Sequence, residues 1–372
     1  MIDWGAYLIN AIETSDVKAV SRLRSEGPEG ERAWNAHLSL FPAVQRVLNP
    51  PFINPHLPKM YAVCRDLFPY MEAEDVPRLL YMETAEYARR KKLDTHPPAH
   101  FDDTNGKASV PFAAVQEAIR SGDVDETASL FLTFLRQHGA RELGRRLLLL
   151  GSGYLVESLG HSISCTAFIL REMLARTDQD LWPALVLLAD YFIKGRFDAT
   201  PPLQRSESAM RTVLGPIMHT TSGSSFIDIH HTITLYAIGR TRELFTQEEY
   251  EHLISQWLGW MGEKKSDTRF EVPKQSSATD YVTFYKAFSA LDVDAVLKMA
   301  VPLTTSPDGR MLLGRFLVRG LCALYQGNYD PHYVTGLGAA LWITATYPDQ
   351  PSFVSSALHQ YVSFLFRGLA GT

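Results

Sequence analysis

The chain reads as an all-α protein, a multi-helix bundle with no sizeable sheet. Apolar residues recur at i, i+3, i+4 and i+7 through most of its 372 residues. Period-two alternation bounded by hairpin turns is hard to find. Gly, Asp and Pro punctuate the periodic stretches where helices stop and start. Composition agrees, with 46% hydrophobic and 21% charged residues, as in ordinary globular chains. A formal charge of -5 argues against nucleic acid or anionic lipid as a partner.

Taken in order, MIDWGAYLINAIETSDVKAV is an amphipathic helix rather than a leader, because Asp3, Glu13 and Asp16 interrupt its apolar run. Residues 49–58 (NPPFINPHLP) read as a Pro-rich linker, and ARRKKL at 88–93 closes a helix with charge that complements its carbonyl end. Another linker, 94–111, carries His96 and His100 beside Asp102 and Asp103. Within 110–150, SGD and HGA separate three helices. Further linkers fall at 197–208 and 262–279. The xALDVDAVLK turn within 282–326 repeats the grammar of 110–150, either as a weak two-fold repeat or as ordinary helix pairing. These breaks outline regions 1–95, 110–260 and 280–372, as blocks, as two packed helical halves or as parts of one core. Apolar stretches such as LLLLGSGYLV are Gly-broken and shorter than the roughly 18 residues of a membrane span, so a soluble cytoplasmic protein is expected.

Cys64, Cys165 and Cys322 are isolated, without CxxC or CxH pairing, which excludes a disulfide framework and an iron–sulfur cluster held by local motifs. No GxSxG elbow, phosphate loop, HExxH or EF-hand spacing is present. Chemistry therefore falls to the histidines. His37, His138 and His252 read as solvated or capping residues. His161 follows Gly160 at the head of an apolar helix, and His332 heads another after an Asp-Pro step, so both face the interior. In IMHTTSGSSFIDIHHTITLYAIGR, Asp228 and His231 are three apart and share a helix face, His230 points about 100° away, and His219 lies just upstream. Imidazoles with a carboxylate suit iron, manganese or zinc, and the Asp could equally fix a histidine tautomer. Satisfied core histidines are the alternative. Cys165, one turn past His161, reads as a small core residue.

Four segments together resemble the helical domain that accompanies Rieske iron–sulfur domains in bacterial proteins, and more remotely the questin oxidase-like family. They are MEAEDVPRLLYMETAEYARR, GARELGRRLLLLGSGYLVESLGHSISCTAFILREML, MHTTSGSSFIDIHHTITLYAIGRTREL and NYDPHYVTGLGAALWI. The resemblance places a helix-heading Gly-His on Gly160 and His161, a His-Thr-Ser segment and following Asp on His219 and Asp228, and later histidines on His231 and His332. The chain departs from it at Met82 and at Gly239 or Arg240, where the pattern has histidines, and it lacks the Rieske cysteines. The resemblance implies an oxidoreductase acting on a small organic molecule.

The expectation is a metal-dependent oxidoreductase or oxygenase for a small apolar or aromatic substrate. Its single metal is iron, with zinc as the lesser choice. His161, His219, His231 and His332 are the candidate ligands, with Asp228 as a catalytic or orienting group and Tyr154 and Tyr236 as substrate hydrogen-bond donors. A separate electron-donor protein is the implied partner, since no cluster is carried in this chain. A non-catalytic helical scaffold and a zinc-dependent hydrolase or lyase are the rival readings.

Overall fold

The computed structural model describes residues 2–96, 109–176, 180–203, 226–262, 280–327 and 329–371. Its regular elements are α-helices and short 3-10 turns. Among the described residues the β structure is a single antiparallel bridge between Val47 and Lys92, so the all-α expectation holds.

Three helical units follow one another with a shared plan. The first comprises α1 (Trp4–Glu13), α2 (Val17–Val20), α3 (Leu23–Glu26), α4 (Gly30–Ser39), α5 (Phe41–Val44), α6 (His56–Leu67) and α7 (Val76–Arg89). The second holds α8 (Phe112–Ser121), α9 (Val124–Gly151), α10 (His161–Leu174) and α11 (Trp182–Gly195). Between the second and third lie α12 (Phe226–Arg240) and α13 (Gln247–Met261). The third unit contains α14 (Tyr281–Ser289), α15 (Val293–Leu303), α16 (Pro307–Ala323), α17 (Pro331–Thr346) and α18 (Pro351–Ala370). The helix break expected at HGA falls at Gly139, whose φ of 86° and ψ of 157° interrupt α9.

Each unit opens with the same joint. A residue in the left-handed region, Ser15 (φ 58°), Gly122 (φ 85°) or Leu291 (φ 55°), ends the first helix. An aspartate follows, Asp16, Asp123 or Asp292, whose carboxylate accepts an N–H of the next helix's first turn. A helix headed by histidine begins 40, 38 and 40 residues after that aspartate, at His56, His161 and at Pro331–His332. The last helix then starts with a proline in its first turn: Pro77, Pro183 and Pro351. In every unit the Asp-capped helix packs on the last one, α2 on α7, α9 on α11 and α15 on α18. The recurrence is therefore threefold. The paired stretches 110–150 and 282–326 are the second and third copies, and 4–44 is the first.

The three histidine helices and α12 form a closed ring, with α6 against α10, α10 against α12, α12 against α17 and α17 against α6. All four run the same way. Their first turns bring histidines together at one end, while Asp66, Arg171, Arg240 and Trp342 meet at the other. One apolar core runs from Trp4 to Phe366 through all three units.

The surrounding polar residues correct two sequence expectations. His37 is buried, not solvated: its Nδ1 bonds Glu83 at 2.7 Å, and its ring stacks on Tyr61. His252 is buried too, with Nε2 3.2 Å from Ser152 Oγ. His138 is exposed, as expected, and touches Ser109. His96 is exposed in its linker, and His100 lies outside the described residues. No helix among the described residues is long and apolar enough to cross a membrane.

Candidate metal centre

Three of the ring helices, α6, α10 and α17, begin at one cavity, and the residues before each set the orientation of its imidazole. Gly160 adopts φ 74°, a conformation open to glycine, so the chain turns sharply into α10. Ser158 tightens that turn by accepting the Ser162 N–H on its hydroxyl at 3.1 Å. The Ser158 carbonyl accepts from His161 Nδ1–H at 2.7 Å, which fixes the tautomer and leaves the His161 Nε2 lone pair free of its proton. On α17 the N-cap Asp330 does both jobs at once. Its Oδ1 accepts the His332 backbone N–H at 2.9 Å and the Nδ1–H at 2.6 Å. On α6, the amide of Asn49 bonds His56 Nδ1 at 3.0 Å.

Three Nε2 atoms consequently converge. His56 and His161 are separated by 2.8 Å, and His332 and His161 by 3.4 Å, with the rings 2–4% exposed. The 2.8 Å contact is an N–H···N bond. As placed, Asn49 Nδ2–H donates to His56 Nδ1; turning that amide over so that its Oδ1 accepts from Nδ1–H moves the one proton off Nε2 and leaves three lone pairs facing one another. That arrangement is repulsive without a cation at its centre. A tetrahedral ion about 2.0–2.1 Å from each nitrogen sets them about 3.3 Å apart, so the donor set fits one. Among the described residues this is the buried group able to hold an ion; the other cluster, Glu72, Glu74 and Asp75, is acidic and partly exposed. His230 adds a fourth ring, with centroids 4.7 Å from His161 and 4.4 Å from His332.

Burial pushes the His56 and His161 imidazoles well below the ordinary value of 6.5, and the charge of Lys59 pushes the same way. Burial also lowers His332, against the opposing pull of its Asp330 hydrogen bond. All three stay neutral and competent to bind a metal below the usual histidine range. The same shifts govern stability. Below pH 6.5 the unfolded chain takes up protons that the folded rings refuse, so folding free energy declines as pH falls from there and is flat above it. Denaturant titrations of the chelated protein across pH 5–8 are expected to show that slope, and His56→Gln to reduce it.

Lys59, one turn beyond His56, is fully buried, and its Nζ has no hydrogen-bond partner among the described residues. Burial lowers its pKa. Lys59→Met removes an unsatisfied polar group, and unfolding free energy is expected to rise by about 2 kcal/mol, read by urea denaturation.

The cavity over the histidines has a volume of about 350 Å³. Phe52, Leu159 and Pro331 give it apolar walls, and Arg90 is its basic group. Arg90 is held by Glu86 at 3.2 Å, and Glu86 is itself anchored by the Tyr325 hydroxyl at 2.6 Å and the Tyr329 N–H at 3.2 Å.

Of the ligands read from sequence, His161 and His332 meet here. His231 does not join the three-nitrogen cluster. Its ring packs on Trp260 with centroids 4.1 Å apart, its carbonyl accepts from Trp257 Nε1, and the neighbouring His230 faces the site. His219 lies outside the described residues. Asp228 is buried in the first turn of α12 and is not one of the clustered ligand groups. Neither Tyr154 nor Tyr236 lines this cavity. Tyr154 pins the 197–199 segment, donating to Asp198 Oδ1 and accepting from the Asp198 and Ala199 N–H groups. Tyr236 donates to Asp66 at the far end of the ring. Cys165 is buried, and burial pushes its thiol up to about 11, which keeps it an unreactive core group.

His56 escaped sequence reading because it lies in a stretch read as a linker. Its signal was the Pro55–His56 step, the counterpart of Gly160–His161 and Pro331–His332. Comparison with protein-family models, curated proteins and solved structures gives no match to this chain.

Proposed function

We propose that the protein is a metal-dependent oxidoreductase for a small, largely apolar organic molecule, with one ion held by Nε2 of His56, His161 and His332. The observation that carries this reading is the convergence of three buried imidazole nitrogens at the floor of a cavity of small-molecule size. Iron bound there supplies redox chemistry and a coordination position for a co-substrate. The chain's own residues prepare the place. The Ser158 carbonyl and Asp330 carboxylate hold two tautomers, the Asn49 amide orients the His56 ring, Phe52 and Leu159 give the cavity apolar walls, and Glu86 holds Arg90 at the cavity. The segments that resemble questin oxidase-like proteins support the oxidative assignment.

A neutral ligand set also leaves an ion its full positive charge, which favours zinc-activated water as the second reading. Elemental analysis of tag-free protein, as isolated and after anaerobic reconstitution with Fe(II), separates the two. About one iron per chain supports the oxidoreductase. Tightly held zinc that Fe(II) does not displace supports the hydrolytic reading, and no retained metal leaves a helical scaffold.

A further inference from the structure

The opposite end of the helix ring holds a second cavity, of about 610 Å³. It lies about ten residues down each ring helix from the histidines, or roughly 15 Å. Its floor is a network around Asp66. Arg171 bonds both carboxylate oxygens, at 2.9 and 2.8 Å, Arg240 Nη2 bonds one at 2.9 Å, and the Tyr236 hydroxyl donates to the other. Four donors saturate the two oxygens. The guanidinium groups are not saturated in return, since each offers five N–H donors. The Arg240 side chain is 38% exposed at this cavity and spends Nη2 on Asp66. Arg65, also facing the cavity, reaches Glu172 only at 3.3 and 3.5 Å. The remaining walls include the indoles of Trp34 and Trp342.

We propose that this cavity binds a small aromatic carboxylate. Spare planar N–H donors from Arg240 and Arg65 match a carboxylate edge-on. Two indoles flanking the same space offer faces to an aromatic ring, a feature that a bare inorganic anion cannot use. Three arginines against Asp66 and the exposed Glu243 leave one positive charge, which a monoanion balances. Gly338, also in the lining, lets α17 pack closely on α6 at this end, since a Cβ there would overlap Val63. The site is separate from the histidines and stands whether or not a metal binds there.

The test titrates the full chain with 2-naphthoate, followed by calorimetry and tryptophan fluorescence, with 2-naphthylmethanol and inorganic phosphate as comparators. Saturable binding of one naphthoate per chain is expected, weakened about tenfold to hundredfold in Arg240→Ala and for the neutral alcohol. His161→Ala is expected to bind the probe unchanged, which places it away from the metal centre. Trp342→Leu, expected to weaken binding while leaving the arginines in place, serves if Arg240→Ala fails to fold. Absence of saturable binding overturns the proposal, as does binding lost in His161→Ala but kept in Arg240→Ala and Trp342→Leu. Phosphate binding as tightly as naphthoate also overturns it.

Discussion

His161→Ala is expected to reduce metal affinity by about a hundredfold or more, so that protein recovered after desalting carries almost no ion. Even an outer partner of a ligating histidine is worth 10–100-fold, and His161 is the central member of the cluster, with its Nε2 in contact with both other Nε2 atoms. Asp330→Asn, which keeps the N-cap but weakens the hold on His332 Nδ1, is expected to cost about tenfold. His231→Ala is the informative control. It empties space beside Trp260 and lowers stability, yet metal content measured by mass spectrometry stays at the wild-type level. Loss of metal in His231→Ala with retention in His56→Ala would overturn the assignment of the site in favour of the one read from spacing alone.

Gly160→Ala has the largest expected effect on folding. At φ 74° an L side chain costs about 1–2 kcal/mol. A Cβ there would also overlap Thr234 Oγ1 and lie 2.8 Å from the Trp260 ring, so α12 and α13 must both give way. Overpacking of a filled core costs a further 1–3 kcal/mol or so. A combined loss of about 3–5 kcal/mol follows, read as a lowered urea midpoint at constant slope. Because Gly160 sets the direction in which His161 enters the ring, metal affinity is expected to fall in the same variant. Gly122→Ala checks the interpretation, since its φ of 85° and ψ of 10° match the left-handed conformation of Gly160 but nothing lies within 4 Å of the added carbon. It should show the backbone cost alone.

The fold class was open to sequence reading because helical periodicity survives wherever one face of a helix meets solvent. The choice between His230 and His231 was not. Both are about 1–2% exposed on a helix buried nearly all round, so neither the apolar pattern nor the Asp228 spacing distinguishes the face that meets the ring. Tyr236 misled for a related reason, since it lies only a turn or two from those histidines in sequence but points toward the opposite end of its helix's contacts. The first repeat was obscured by length: α2 has four residues where its counterparts α9 and α15 are longer, so the recurrent Asp-Val joint at Asp16 carried little periodic signal. Aligning the three joints brings Pro55–His56 into register with the other two histidine steps, which is how the third ligand could have been found.

A ring of four helices that all point the same way is electrically polar, unlike an up-and-down bundle in which neighbours cancel. Each helix leaves about half a positive charge at its amino end, and those ends surround the histidines. The arginines at the other end sit among carbonyls, where guanidinium is favoured. The polarity disfavours a bare cation among the imidazoles and favours one that arrives with an anionic oxygen ligand, so the metal and an anion should bind there together more tightly than either does alone.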